Sequence, residues 1–126
     1  MLSNNHSYNR TGNFITATYK GFIKLEDFKE ICNESLRLMV QKRTEKILVD
    51  NTKLLKMPKE NEEWIQAEWF PKAIQLGLKQ LAFVVAEGGL GEQTTKEANR
   101  AVERQMLPIN LRYFDSLNEA KTWLAD

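Results

Sequence analysis

A single cysteine, a single histidine, three prolines and almost no net charge set the first limits on this chain of 126 residues. With Cys32 as the only thiol, no intramolecular disulfide can form, and nothing asks for an oxidising compartment. Metal centres draw on clustered Cys and His. The chain has only Cys32 and His6 to offer, so no metal or other cofactor is expected. No apolar run approaches the roughly 20 residues of a membrane-spanning helix. The opening Met1-Leu2-Ser3-Asn4-Asn5-His6 lacks the basic and apolar regions of a signal peptide, so the expected location is cytoplasmic. Charge of one sign is missing too: 18 Lys and Arg stand against 17 Asp and Glu, a formal +1, and the basic residues are mixed with acids along the chain. A nucleic-acid binder needs basic residues gathered on one face, so no nucleic acid is expected as partner.

What is present suits one globular domain over residues 1–126. At 42% hydrophobic and 28% charged the composition is ordinary. A chain of this length buries roughly two-thirds of the surface its unfolded form exposes, so it needs no covalent staple. Phe14-Ile15-Thr16-Ala17-Thr18-Tyr19 is β-branched and aromatic and predicts a strand closed by Gly21. The polar segment before it, through Tyr8, pairs with it as a hairpin or frays; His6 lies there and carries no expected chemistry. Leu25, Phe28, Ile31, Cys32, Leu36, Met39 and Val40 recur at helical spacing. Glu26 and Asp27 fall in that helix's first turn and Lys42 and Arg43 in its last, matching its dipole. Lys46-Ile47-Leu48-Val49-Asp50 predicts a short buried strand.

Pro58 then opens a second helix, with Glu60, Glu62 and Glu63 behind it and Gly77 near its end as a cap. Pro71 lies inside its apolar pattern and predicts a kink or a break. Leu81-Ala82-Phe83-Val84-Val85-Ala86 is apolar on both faces, as a central strand must be. The loop Gly88-Gly89-Leu90-Gly91 follows. It matches neither the Walker pattern nor the dinucleotide fingerprint, so it is expected to be a connection only. Thr94-x-x-Glu97 and Ser116-x-x-Glu119 are capping boxes. The first opens a helix to about Met106, stopped by Pro108. The second follows a strand over 109–114 and opens a last helix carrying Leu117, Ala120, Trp123 and Leu124. Strands alternating with helices imply a mostly parallel sheet, mixed at its N-terminal hairpin, with about four helices.

This order of elements resembles the SpoIIAA-like family, related to STAS and CRAL-TRIO domains, over about Phe14 to Leu124. Tyr19-Lys20-Gly21-Phe22 resembles the family's aromatic-x-Gly element, Ile47 to Asp50 its strand ending in Asp, and Trp64 with Glu68-Trp69-Phe70-Pro71 its aromatic second helix. Gly77-Leu78-Lys79 and Ala82-Phe83-Val84 resemble its next helix-to-strand step. Tyr113-Phe114-Asp115-Ser116-Leu117-Asn118-Glu119-Ala120, with Trp123-Leu124, is the most specific match. The resemblance implies a single SpoIIAA-like or STAS-like α/β domain. STAS domains are commonly interaction modules, some switched by phosphorylation of a serine at a helix start, and CRAL-TRIO relatives hold hydrophobic ligands. Here no Ser or Thr occurs between Lys53 and Gln93, and Thr52 follows a strand instead of opening a helix. The phosphorylation switch is therefore not expected.

No catalytic motif stands out, and no enzymatic activity is expected. Cys32 lies on the apolar face of its helix, where a thiol acts as a small hydrophobe. Asp50, Glu87 and Asp115 fall at the carboxyl ends of strands, where open α/β sheets bind ligands. Three acids on one polar rim can form a hydrolytic or cation site, or simply face water as strand ends do, and the second is the expectation. Trp64, Trp69, Phe70 and Ile74 make the second helix the candidate ligand or partner surface, with three uses open: core packing, a docking or dimer face, or the lid of an apolar pocket. The expected role is a non-catalytic module that docks a protein partner or self-associates. The alternative is a carrier or sensor of a small hydrophobic, lipid-like ligand.

Overall fold

In a computed structural model, residues 5–86 and 106–126 are described, together with Lys96, Arg100, Glu103 and Arg104. Five strands form one sheet in the order β1 (His6–Asn9), β2 (Phe14–Phe22), β3 (Lys46–Lys56), β4 (Gln80–Val84) and β5 (Asn110–Phe114). β1 runs antiparallel to β2 as the expected hairpin, and every other pair is parallel. Three helices stand among the described residues: α1 (Leu25–Gln41), α2 and α3 (Leu117–Ala125). α2 is continuous in three parts, Lys59–Trp64, a π-helical turn Ile65–Trp69, and Phe70–Gln75. The expected helix from Thr94 lies for the most part outside the described residues, although Lys96, Arg100, Glu103 and Arg104 are helical. The Gly88–Gly91 loop lies wholly outside them.

Alternation along the strands divides the core in two. Ile15, Ala17, Tyr19, Ile47, Val49, Leu81 and Phe83 face α1 and α2. Phe14, Leu48, Ala82 and Val84 face Ala120 and Leu124 of α3. This two-sided cover explains why β4 is apolar at every central position. The crossovers from β2 to β3 and from β3 to β4 run the same way across the sheet, which puts α1 and α2 on one face.

Three local outcomes differ from the expectation. β3 continues past Asp50 to Lys56, because β2 alone still pairs with it there, through Lys20↔Lys53, Gly21↔Leu54 and Phe22↔Lys56. β4 stops at the Asp50↔Val84 pair, so this extension needs no apolar cover on its β4 side. Val40 shares the helical spacing of α1 yet is 52% exposed, since it lies past the edge of the buried stripe. Lys42 and Arg43 sit beyond the last turn of α1, as cap residues.

That cap carries strain. Arg43 has φ 54, the left-handed region. Its N–H donates to Val40 O at 3.2 Å and Thr44 N–H to Met39 O at 3.0 Å, the paired bonds of a Schellman cap. Gly77 closes α2 the same way with φ 109, through Gly77 N–H to Ile74 O and Leu78 N–H to Ala73 O. Arginine crowds its Cβ against the carbonyl where glycine does not. Arg43→Gly is therefore expected to stabilise the fold by about 1 kcal/mol, read as a higher urea midpoint at unchanged slope.

Pro71 neither breaks α2 nor ends it. A proline clashes with the carbonyl four residues back and offers it no donor. Just before Pro71 the helix widens to a π turn, with Phe70 N–H donating to Ile65 O, which makes room for the ring.

Candidate functional site

The widened turn of α2 roofs a pocket. Its floor is the sheet, through Ile47, Val49, Leu81 and Phe83; one wall is α1, through Phe28, Cys32 and Ser35; Tyr19 and Asn51 close an end. Ile65, Gln66 and Trp69 of the π turn, with Met57 and Glu62, form the roof and mouth. The pocket has a cavity volume of about 40 Å³. That is space for roughly three waters or a few carbon atoms. With the mouth and the open solvent in front of it, the space between the walls is about 600 Å³.

The polar atoms in this wall have defined partners. Tyr19 Oη lies 3.3 Å from Cys32 Sγ, both buried. Ser35 Oγ donates to Ile31 O at 3.2 Å and lies 2.7 Å from His6 Nε2. His6 therefore belongs to the sheet edge next to α1 instead of fraying. Trp69 Nε1–H donates to Cys32 O at 3.0 Å, tying the roof to the wall. Asn61 Nδ2–H donates to Ile23 O at 2.9 Å and anchors the start of α2, while its buried Oδ1 accepts no hydrogen bond among the described residues.

Burial decides the chemistry of the thiol and the phenol. Desolvation pushes the Cys32 thiol up to about 12, opposed only in part by its hydrogen bond to Tyr19. Tyr19 is raised well above 10, by desolvation first and then by Cys32. At neutral pH both are protonated, so Cys32 is no thiolate nucleophile.

Of the aromatic helix, Trp69 is 4% and Phe70 0% exposed, and their rings meet edge-on at 5.5 Å. Trp64 and Ile74 are half-buried against the same core. Trp69 alone of the four lines the pocket.

The strand-end acids are not brought together. Asp50 and Asp115 are set apart by β4, about 10 Å at ordinary strand spacing. Asp50 alternates with Val49 and so lies on the α3 side, away from the pocket. Its Oδ1 accepts from Thr52 N–H at 3.0 Å and Thr52 Oγ1–H at 2.7 Å, a local turn bond. Asp115 is exposed beside Ser116, whose Oγ caps α3 by accepting from Glu119 N–H at 3.3 Å. Glu87 lies outside the described residues. Among the described residues, no cluster of three or more His, Cys, Asp or Glu could hold a metal ion, and no helix is long and apolar enough to cross a membrane.

Sequence reading missed Ser35, Asn51, Glu62 and Gln66 as pocket groups. Ser35 carried a signal, a polar residue on the apolar stripe of α1 between Cys32 and Leu36. Glu62 and Gln66 lie four apart on one helix face, but nothing in the pattern says which face meets the cavity.

A five-stranded, mostly parallel sheet with an N-terminal hairpin and, among the described residues, α1 and α2 on one face and α3 on the other defines the class as a STAS-like α/β domain. A family model described as SpoIIAA-like matches residues 14–125, and the chain belongs to the SpoIIAA-like family. A search of curated proteins finds no match. Among solved structures, an uncharacterised protein of the DUF3478 family from Shewanella loihica PV-4, described as having a SpoIIAA-like fold, is similar at TM-score 0.63 and 19% identity, over 94% of this chain and 90% of that one. At that identity the likeness is one of fold.

Proposed function

We propose that this protein is a non-catalytic module that binds a small, mostly apolar molecule in the pocket between α1, α2 and the sheet. The observation that carries this reading is the cavity beneath the π turn, walled by aromatic and aliphatic side chains with a few neutral polar groups at one end. The widened turn gives the roof a different backbone bonding from the rest of α2, and such π turns recur at functional sites. The small enclosed volume favours a ligand of a few carbons, or the end of a larger one, over a whole lipid chain.

Titration with toluene, followed by amide and indole NMR shifts, tests the pocket. Shifts are expected at Tyr19, Phe28, Cys32, Trp69 and Phe83, saturable and removed by Ile65→Trp, which fills the mouth. Absent or diffuse shifts would sink the reading.

A second reading, protein docking or self-association, has its own observation. Where β3 outruns β4, Phe22 is 58% and Leu55 64% exposed on the projecting ribbon. Native mass spectrometry separates the two: a bare multiple of the chain mass supports association, and a mass excess lost on denaturation supports a bound small molecule.

A further inference from the structure

We propose that the pocket's ligand is a neutral molecule carrying a carbonyl-type oxygen on a small apolar body, and that Tyr19 binds this oxygen. This rests on the pocket reading above and names its ligand class. Tyr19, Cys32 and Ser35 all line the pocket and are 5%, 1% and 2% exposed. At neutral pH the phenol and the thiol each hold a hydrogen, yet the two groups share one contact, Tyr19 Oη to Cys32 Sγ at 3.3 Å. One hydrogen occupies that contact and the other needs a second acceptor. Ser35 comes next, and it acts on the phenol less than the thiol does. Its own hydrogen goes to Ile31 O at 3.2 Å, so the 2.7 Å contact with His6 Nε2 requires the ring N–H to donate to Ser35 Oγ. The serine oxygen is thus already in use as an acceptor, and sulfur is a weak one.

A ligand oxygen completes the arrangement. Tyr19 O–H donates to it, Cys32 S–H donates to Tyr19 Oη, and both hydrogens are placed. A ketone, ester or amide carbonyl brings two lone pairs to this point and, at that oxygen, no further hydrogen. An ammonium brings hydrogens of its own into a wall that already has one to place. A carboxylate has the acceptors, but the burial that keeps the thiol and the phenol protonated also opposes an anion beside them. The carbon body meets Phe28, Ile47, Val49, Leu81 and Phe83, a wall that suits an aromatic or an aliphatic group.

Acetophenone and α-methylstyrene test this on the full chain, since they match in shape and differ by a carbonyl oxygen against a methylene group. Both are titrated at neutral pH by NMR into the wild-type protein and into Tyr19→Phe. The substitution is expected to weaken acetophenone about fivefold more than α-methylstyrene, the worth of one neutral hydrogen bond. The infrared carbonyl stretch of bound, isotope-labelled acetophenone is a second measurement that needs no variant, and it should lie below its value in alkane solvent. Equal losses for the two probes would overturn the inference, as would a carbonyl stretch at the alkane value. If Tyr19→Phe does not fold, the stretch decides alone. Silence of acetophenone while α-methylstyrene or toluene binds would overturn the carbonyl assignment alone. Silence of all three would remove the pocket reading and this inference with it.

Discussion

Trp69→Ala is expected to cost about 4 kcal/mol of stability. Trp69 is 4% exposed, packs edge-on to Phe70 at 5.5 Å, and donates its indole N–H to Cys32 O at 3.0 Å. Truncation removes the ring's packing and opens a hole that joins the cavity already present, so the roof cannot easily collapse into it. A small domain has roughly 5–15 kcal/mol in total, so the variant should sit near its unfolding transition. Trp69→Phe keeps most of the packing and loses the hydrogen bond, at about 1 kcal/mol. Urea unfolding of both variants reads the difference. If Trp69→Ala cost less than about 1.5 kcal/mol, the ring would not be the structural roof described here.

The second large effect is at Cys32. Because its thiol is pushed from an ordinary value of 9.0 to about 12, the folded protein at pH 8 holds roughly a thousandfold less thiolate than the unfolded chain. Alkylation by iodoacetamide should therefore be slower by at least that factor in the native state and return to an ordinary rate in urea. The same shift makes stability depend on alkali. Between pH 9 and 12 the unfolded chain has released this proton and the folded protein still holds it. The unfolded state then binds fewer protons, so stability falls as pH rises through that window and is fully present below it. The loss from Cys32 amounts to at most about 4 kcal/mol by pH 12. Tyr19, also raised, acts in the same direction above 10. The urea midpoint should be level to about pH 8.5 and then decline, less steeply in Cys32→Val. Native alkylation at the unfolded rate, or a level midpoint to pH 11, would contradict the buried, protonated thiol.

The periodicities carried most of the fold. β2 alternates and β4 is apolar throughout because one has a half-open face and the other is covered on both. The stripe of α1 marks the face it buries, and glycine at position 77 marks a left-handed cap that other residues resist. The order of these elements, with the closing Asp115-Ser116 and the Trp123-Leu124 pair, was enough to point to the SpoIIAA-like family, to which the chain belongs.

The candidate site was less legible, because it is made of residues far apart in the chain. Tyr19, Ser35, Asn51 and the pair Glu62 and Trp69 come from four separate elements, β2, α1, β3 and α2. Pattern shows that Trp69 and Phe70 are apolar and helical, but not that one ring roofs a cavity while the other fills the core. The same holds for Asp50: its place near a strand end is a matter of local order, while its separation from Asp115 depends on β4 lying between them.

The sequence by itself determined what each segment is and which side of it is apolar, since those follow from side-chain spacing and local backbone preference. Only the tertiary structure decided that α2 widens at Ile65–Trp69 ahead of Pro71, that the widened turn stands over Val49 and Phe83, and that Glu62 and Gln66 line the same pocket. A cavity exists where packed elements fail to fill the space between them, and that is a property of their juxtaposition, which no single stretch of chain encodes.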